Sequence, residues 1–155
     1  MASDRIYEIR AEAAKVKQAR ILAKSSEILF DASAGQDTNL PGPAELLAGA
    51  FAACFLKNAE RFSRLLPFRY DTASIHVIAE REAKSPRIAR IRYTLVIATD
   101  EPLDRLALLE HNLRKFGTVY STLAAACSIL GTVVTAASEG KGKMTGARGT
   151  TRVLS

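Results

Sequence analysis

The sequence predicts an α+β fold built on one long central helix that sheet can cover on one side only. Short alternating runs fill the chain up to Ala32, and a stretch without any polar face, LLAGAFAACFL, follows at Leu46 to Leu56. Strand and helix periodicities then succeed one another through the rest of the chain. A helix that is apolar all round must be enclosed by protein.

The elements follow in order. Tyr7, Ile9 and Ala11 alternate with Glu8, Arg10 and Glu12, the two-residue period of a strand. Ala19 to Lys24 and Ser26 to Ala32 read as two more strands. The turn-rich segment SAGQDTNLPGP ends this portion. Gly42 then suits an N-cap, Pro43 the first helical position, and Glu45 the third, where a carboxylate faces the positive end of the helix dipole. After Leu56 the sequence KNAERFSRLL alternates charge with Leu and Phe, so the helix runs on as a surface helix to Leu65, and Pro67 stops it.

Two strands come next, with Ile75, Val77 and Ala79 on one face of the first and Ile91, Tyr93, Leu95 and Ile97 on one face of the second; KSPR is the turn between them. Leu103, Leu106, Leu109, Leu113 and Phe116 recur at helical steps and Gly117 ends that helix. TVYSTLAAACSIL reads as a shorter, largely buried helix, and TVVTAA as a last short strand. Residues 1–137 form the domain, and residues 138–155 a loose, basic, Gly-rich tail.

Composition narrows the function. The 155 residues are 48% hydrophobic and 25% charged, an ordinary globular balance. No apolar run reaches the roughly 20 residues of a bilayer span, and MASDRIYEIR lacks a signal peptide's apolar core, so a cytoplasmic protein without a membrane partner is expected. The net charge of +6 invites a nucleic-acid reading. Half of that excess lies in the tail EGKGKMTGARGTTR, however, and no recognition motif accompanies it, so no nucleic-acid partner is expected. Cys54 and Cys127 are too few for a disulfide framework or a thiolate metal site. His76 and His111 have no ligand company, and no cofactor motif is present.

The helix also predicts assembly. One sheet covers one side of Leu46 to Leu56, and the other side needs a partner; a twofold homodimer with two such helices packed together supplies it. At this point the residues resemble a known family. PAELLAGAFAAC matches the (N/S)P-x-E-L-L-x-x-x-x-A-A-C pattern of the OsmC/Ohr proteins, the osmotically inducible and organic hydroperoxide resistance proteins, and the order of elements is similar from about residue 5 to residue 136. The resemblance implies an intertwined homodimer with two long central helices, each backed by antiparallel sheet. It also implies a peroxidatic thiol at the subunit interface, acting on hydroperoxides under oxidative stress.

By that resemblance Cys54 is the nucleophile, attacking the O–O bond and becoming a sulfenic acid. Read as a residue alone, it is equally a small core hydrophobe. Lys57, one turn on, is a candidate cation to stabilise the thiolate, or a lysine snorkelling at the start of the exposed half. In the Ohr branch an acid ahead of the cysteine orients an arginine of the N-terminal sheet. Ala44 holds the acid's position here, while Glu45 falls on the opposite helix face from Cys54. The arginine's place falls on Lys17, with Arg20 close by, and both are candidate cations.

The family's resolving cysteine aligns with Gly117 in GTVY. Cys127 lies about 15 Å further along a helix, beyond the Cα separation of about 7 Å that a disulfide tolerates, and is assigned to the core. Two functions therefore stand. One is a peroxidase using the single thiol of Cys54 with an external thiol reductant and a small apolar hydroperoxide. The other is a non-catalytic dimer of the same fold binding a small apolar ligand at its interface.

Overall fold

The computed structural model describes residues 5–14, 19–35 and 39–137, together with the backbone of 152–154. The chain divides into two compact units, Met1–Leu47 and Ala48–Ser155.

In the first unit, strands β1 (Arg10–Ala13), β2 (Ala19–Ala23) and β3 (Ser26–Phe30) form an antiparallel meander in the order β1-β2-β3. The first strand starts later than the alternation of Tyr7 and Ile9 predicts. Its pairing with β2 ends at Arg10, opposite Leu22, and among the described residues no strand pairs with those before it. Ile6, Tyr7 and Ile9 are 92%, 75% and 59% exposed. A two-residue turn joins β2 to β3, closing Ala23 onto Ser26 with Lys24 at φ 56°. That left-handed backbone costs a side-chain-bearing residue roughly 1–2 kcal/mol.

The entry to the central helix follows the expected chemistry. Helix α1 spans Pro43–Leu65. The Leu46 amide donates to the Gly42 carbonyl at 3.0 Å, and the Gly42 amide donates to Glu45 Oε2 at 3.1 Å. Glu45 is thereby occupied in satisfying an orphan donor at the helix start. At the far end the Arg105 guanidinium donates to the carbonyls of Leu66 and Pro67, groups that the helix itself leaves unpaired.

The second unit is a mixed sheet with helices packed on one face. Strands β4 (Thr72–Arg81) and β5 (Ile88–Ala98) form an antiparallel hairpin. Helix α2 (Leu103–Phe116) and the short helix α3 (Thr118–Ala124) then cross over to β6 (Ser128–Ala136), which pairs with β5 in parallel. Strand β7 (Arg152–Leu154) closes the order β4-β5-β6-β7. The sheet is therefore antiparallel except at β5–β6, and the last residues of the expected loose tail form an edge strand on β6.

One expectation near the C-terminus is corrected. The second of the paired helices was expected to run on through Cys127 to Leu130, but it stops at Ala124, none of its residues is buried, and the strand begins at Ser128. The apolar run AAACSIL carries no period that separates helix from strand; pairing of Ser128–Ala136 with β5 decides it, placing Ile129 and Val133 on the core face. Leu46 to Leu56, expected to be covered by sheet on one side only, is enclosed in part by the described residues of one chain. Phe51 and Phe55 are buried, whereas Leu47, Gly49, Ala50 and Ala53 are exposed.

The core joins Phe51, Phe55, Ala59 and Phe62 of α1 to Ile91, Tyr93, Leu95 and Ile97 of β5, Leu106, Leu109 and Leu113 of α2, and Val133 of β6. Each fully buried large side chain here stabilises by about 1.5–3 kcal/mol. Within this core Tyr93 lies flat against Gly131, its register partner on β6. A Cβ added at Gly131 would stand 2.1 Å from the Tyr93 ring. Gly131→Ala should therefore displace the ring and cost about 1–3 kcal/mol, read as a lower urea midpoint. The loss should shrink when Tyr93→Ala is combined with it, and an unchanged midpoint in the single variant would contradict this packing.

Candidate functional site

Cys54 sits on α1 at the border between the helix face that packs on the core and the face left exposed among the described residues. Phe51 and Phe55, on either side of it in sequence, are both buried. Their rings meet Tyr120 of α3 at centroid distances of 6.1 and 5.8 Å and Tyr93 at 5.7 and 4.7 Å. These contacts fix the rotation of α1 and so the direction of its neighbouring side chains. Cys54 is half-buried.

Two neighbours bound the sulfur. Asn58, one helical turn on, donates from Nδ2 to Cys54 Sγ at 3.6 Å. At the junction of α2 and α3, a Cβ built on Gly117 would lie 3.3 Å from the same sulfur. The position aligned with the resolving cysteine is thus beside Cys54 in space. It is also closed: that Cβ would come within 2.7 Å of the Leu113 carbonyl and 3.0 Å of Tyr120 Cβ.

The other candidates are distributed differently. Lys57 is exposed on α1, and no hydrogen bond or ion pair joins it to the described residues; the polar contact to Sγ comes from Asn58 instead. Arg20, on β2 of the first unit, is held by hydrogen bonds and ion pairs to Glu12 and Glu27. The hydrogen bond and charge of Glu12, then the charge of Glu27, raise its pKa further. The three side chains line an open depression of about 500 Å³ with Ala13, Ala19 and Leu29. Lys17 lies outside the described residues. Cys127 is half-buried, packs against the core, and donates from Sγ to the Leu123 carbonyl at 3.3 Å.

A partly buried polar cluster stands behind the aromatic wall. Arg114 Nε donates to the Tyr93 hydroxyl at 3.0 Å, and the same guanidinium pairs with Glu110 and reaches the Gly131 carbonyl at 3.4 Å. Burial pushes the Tyr93 hydroxyl up to about 12, against the opposing charge of Arg114. The phenol is therefore neutral at physiological pH and serves as a hydrogen-bonded strut. Asn58 escaped notice in the sequence, although its spacing from Cys54 puts both on one helix face.

The model of the OsmC-like proteins matches residues 35–130, more than half of the chain. The chain belongs to the OsmC-like family. Solved structures agree in fold. An OsmC-like protein of Mycoplasma pneumoniae superposes with a TM-score of 0.78 at 17% identity, covering 86% of this chain and 99% of its own. The organic hydroperoxide resistance protein of Bacillus subtilis gives 0.57 at 19% identity, with coverages of 83% and 98%. A predicted redox protein of Legionella pneumophila, also described as an organic hydroperoxide resistance protein, gives 0.63 at 13%, with 84% and 98%. No sequence among the curated proteins matches this OsmC-like chain significantly. No helix among its described residues is long and apolar enough to cross a membrane.

The Gly117 geometry can be tested chemically. In a Cys127→Ser background, Gly117→Cys should lower stability, because the Leu113 carbonyl has to move. On mild oxidation the introduced thiol should nevertheless form a disulfide with Cys54, seen as loss of both free thiols and a mass two daltons lower. Persistence of both thiols would place Gly117 away from Cys54.

Proposed function

We propose that this OsmC-like protein is a thiol-dependent peroxidase that reduces organic hydroperoxides through Cys54 alone, with an external thiol as reductant. The observation that supports this reading is the half-buried Cys54 sulfur between the Asn58 amide and Gly117, the two positions that the resemblance aligns with the peroxidatic and resolving cysteines being Cys54 and Gly117. The names of the Bacillus and Legionella structures supply the substrate class.

The chemistry balances with those groups. The Cys54 thiolate attacks the distal oxygen of the hydroperoxide and the O–O bond breaks. The alkoxide leaves with a proton as an alcohol, and the sulfur, oxidised by two electrons, becomes a sulfenic acid. Gly117 brings no thiol, so a small thiol from solution attacks the sulfenic sulfur and expels water. A second equivalent of thiol then reduces the mixed disulfide and releases Cys54.

The alternative, a non-catalytic dimer of the OsmC fold that binds a small apolar ligand, is favoured by one observation. Arg20 is already engaged by Glu12 and Glu27, and Glu45 is occupied at the helix cap. The acid–arginine arrangement expected of the hydroperoxide branch therefore has no counterpart in those residues.

Both readings use a homodimer. Leu47, Ala50 and Ala53 form an exposed apolar stripe on α1, and Ile28 and Leu29 of the first sheet are each 43% exposed. A three-stranded sheet with so little buried surface is marginal on its own. A second copy of the chain covers both, with a total buried area of about 2,000 Å² or more, as obligate dimers require.

Two experiments test these statements. Cys54→Ser should abolish consumption of cumene hydroperoxide in the presence of a dithiol, whereas Cys127→Ser should retain most of it, since Cys127 packs in the core. Inactivity of the native protein with several thiol reductants would favour the ligand-binding reading. For assembly, Ala50→Glu places a charge in the centre of the stripe: it should abolish the dimer in sedimentation and cost several kcal/mol. A monomeric native protein, indifferent to Ala50→Glu, would remove the dimer.

A further inference from the structure

We propose that Asn58 is the positioning residue for Cys54, holding the sulfur in its reduced state and the sulfenic oxygen after oxidation. The second half of this inference rests on the peroxidase reading; the first does not.

The geometry is local and specific. Asn58 and Cys54 are separated by one helical turn, and the amide reaches the sulfur at 3.6 Å, within range for an N–H donor to sulfur. Asn58 is half-buried, so water competes only partly for this bond. Lys57, the cation expected at this turn, is exposed and without an ion pair among the described residues, and it leaves the sulfur to a neutral donor. The other flank of the sulfur is Gly117, which offers no side chain.

An amide has what both oxidation states need. Its N–H groups donate to a thiolate, and after oxidation they donate to the oxygen on sulfur, while its carbonyl can accept the sulfenic proton. In a chain with no thiol at Gly117, the sulfenic acid has to outlast the arrival of a reductant from solution. Further reaction with hydroperoxide, which gives sulfinic acid, competes with that arrival. A side chain that occupies the sulfenic oxygen and proton slows this competing step.

The test uses the full chain with Cys127→Ser, so that Cys54 is the one thiol. Asn58→Leu removes the donor at similar volume and Asn58→Gln retains it on a longer arm; Asn58→Ala repeats the measurement if the leucine disturbs packing. At pH 7, below the ordinary range of a thiol, a donor gains more in thiolate than it loses in nucleophilicity. The rate of alkylation by iodoacetamide should therefore fall about two- to fourfold in Asn58→Leu, what remains of one lost hydrogen bond's effect on the thiolate after the offsetting change in nucleophilicity, and recover in part in Asn58→Gln. After one equivalent of cumene hydroperoxide, the ratio of dimedone-trapped sulfenic acid to sulfinic acid should fall in the same order.

Alkylation rates and product ratios unchanged in Asn58→Leu would overturn the inference, while leaving the peroxidase standing if hydroperoxide is still consumed. Alkylation that depends on Asn58 in a protein that never gives a dimedone adduct would support the hold on the reduced sulfur and end the peroxidase reading and the sulfenic role together.

Discussion

One strip of α1 holds the second unit in register: Phe51, Phe55, Ala59 and Phe62 succeed one another at steps of four and three residues, all buried. That spacing keeps a single helix face against the sheet, and the ring contacts with Tyr93 and Tyr120 leave it little freedom to turn. Every property of Cys54 follows from this. A rotation of one residue, about 100° on the helix, would carry the sulfur away from Gly117, or bury it among the aromatics.

The aromatic contacts depend in turn on what backs them. Tyr93 can lie flat only because Gly131 has no side chain, and its hydroxyl, too costly to bury alone, is satisfied by Arg114. Arg114 is anchored in the last turn of α2 by Glu110, one turn before. A polar group and a glycine thus set the position of a thiol that neither touches. Such chains of support are how a hydrophobic core transmits the demands of a site to residues far from it.

Much of this was legible in the sequence. The Gly42–Pro43–Glu45 entry, the stop before Pro67, the inward faces of the β4–β5 hairpin and the spacing of Leu106, Leu109 and Leu113 are local signals, and the structure keeps each of them. Gly117, which the resemblance aligns with the resolving position, lies beside Cys54. What could not be read depends on tertiary contacts. AAACSIL is apolar throughout, so only the pairing with β5 makes Ser128 the start of a strand. Arg20 reads as a candidate cation for the thiolate until the meander brings Glu12 and Glu27 to either side of it. Asn58 reads as one polar residue in a charged helix tail until the rotation of α1 turns it toward the sulfur.

The parallel pairing of β6 with β5 has a consequence for the newly made chain. An antiparallel hairpin can close as soon as its turn is synthesised, but a parallel pair waits for the whole crossover, and the long loop it closes makes that step slow. Phe51, Phe55 and the thiol between them emerge long before α3 and β6 exist to shield them. In that interval Cys54 lacks the junction of α2 and α3 that stands beside its sulfur in the folded chain. The surroundings of this sulfur are therefore completed late, when the strand after Cys127 finds its place in the sheet.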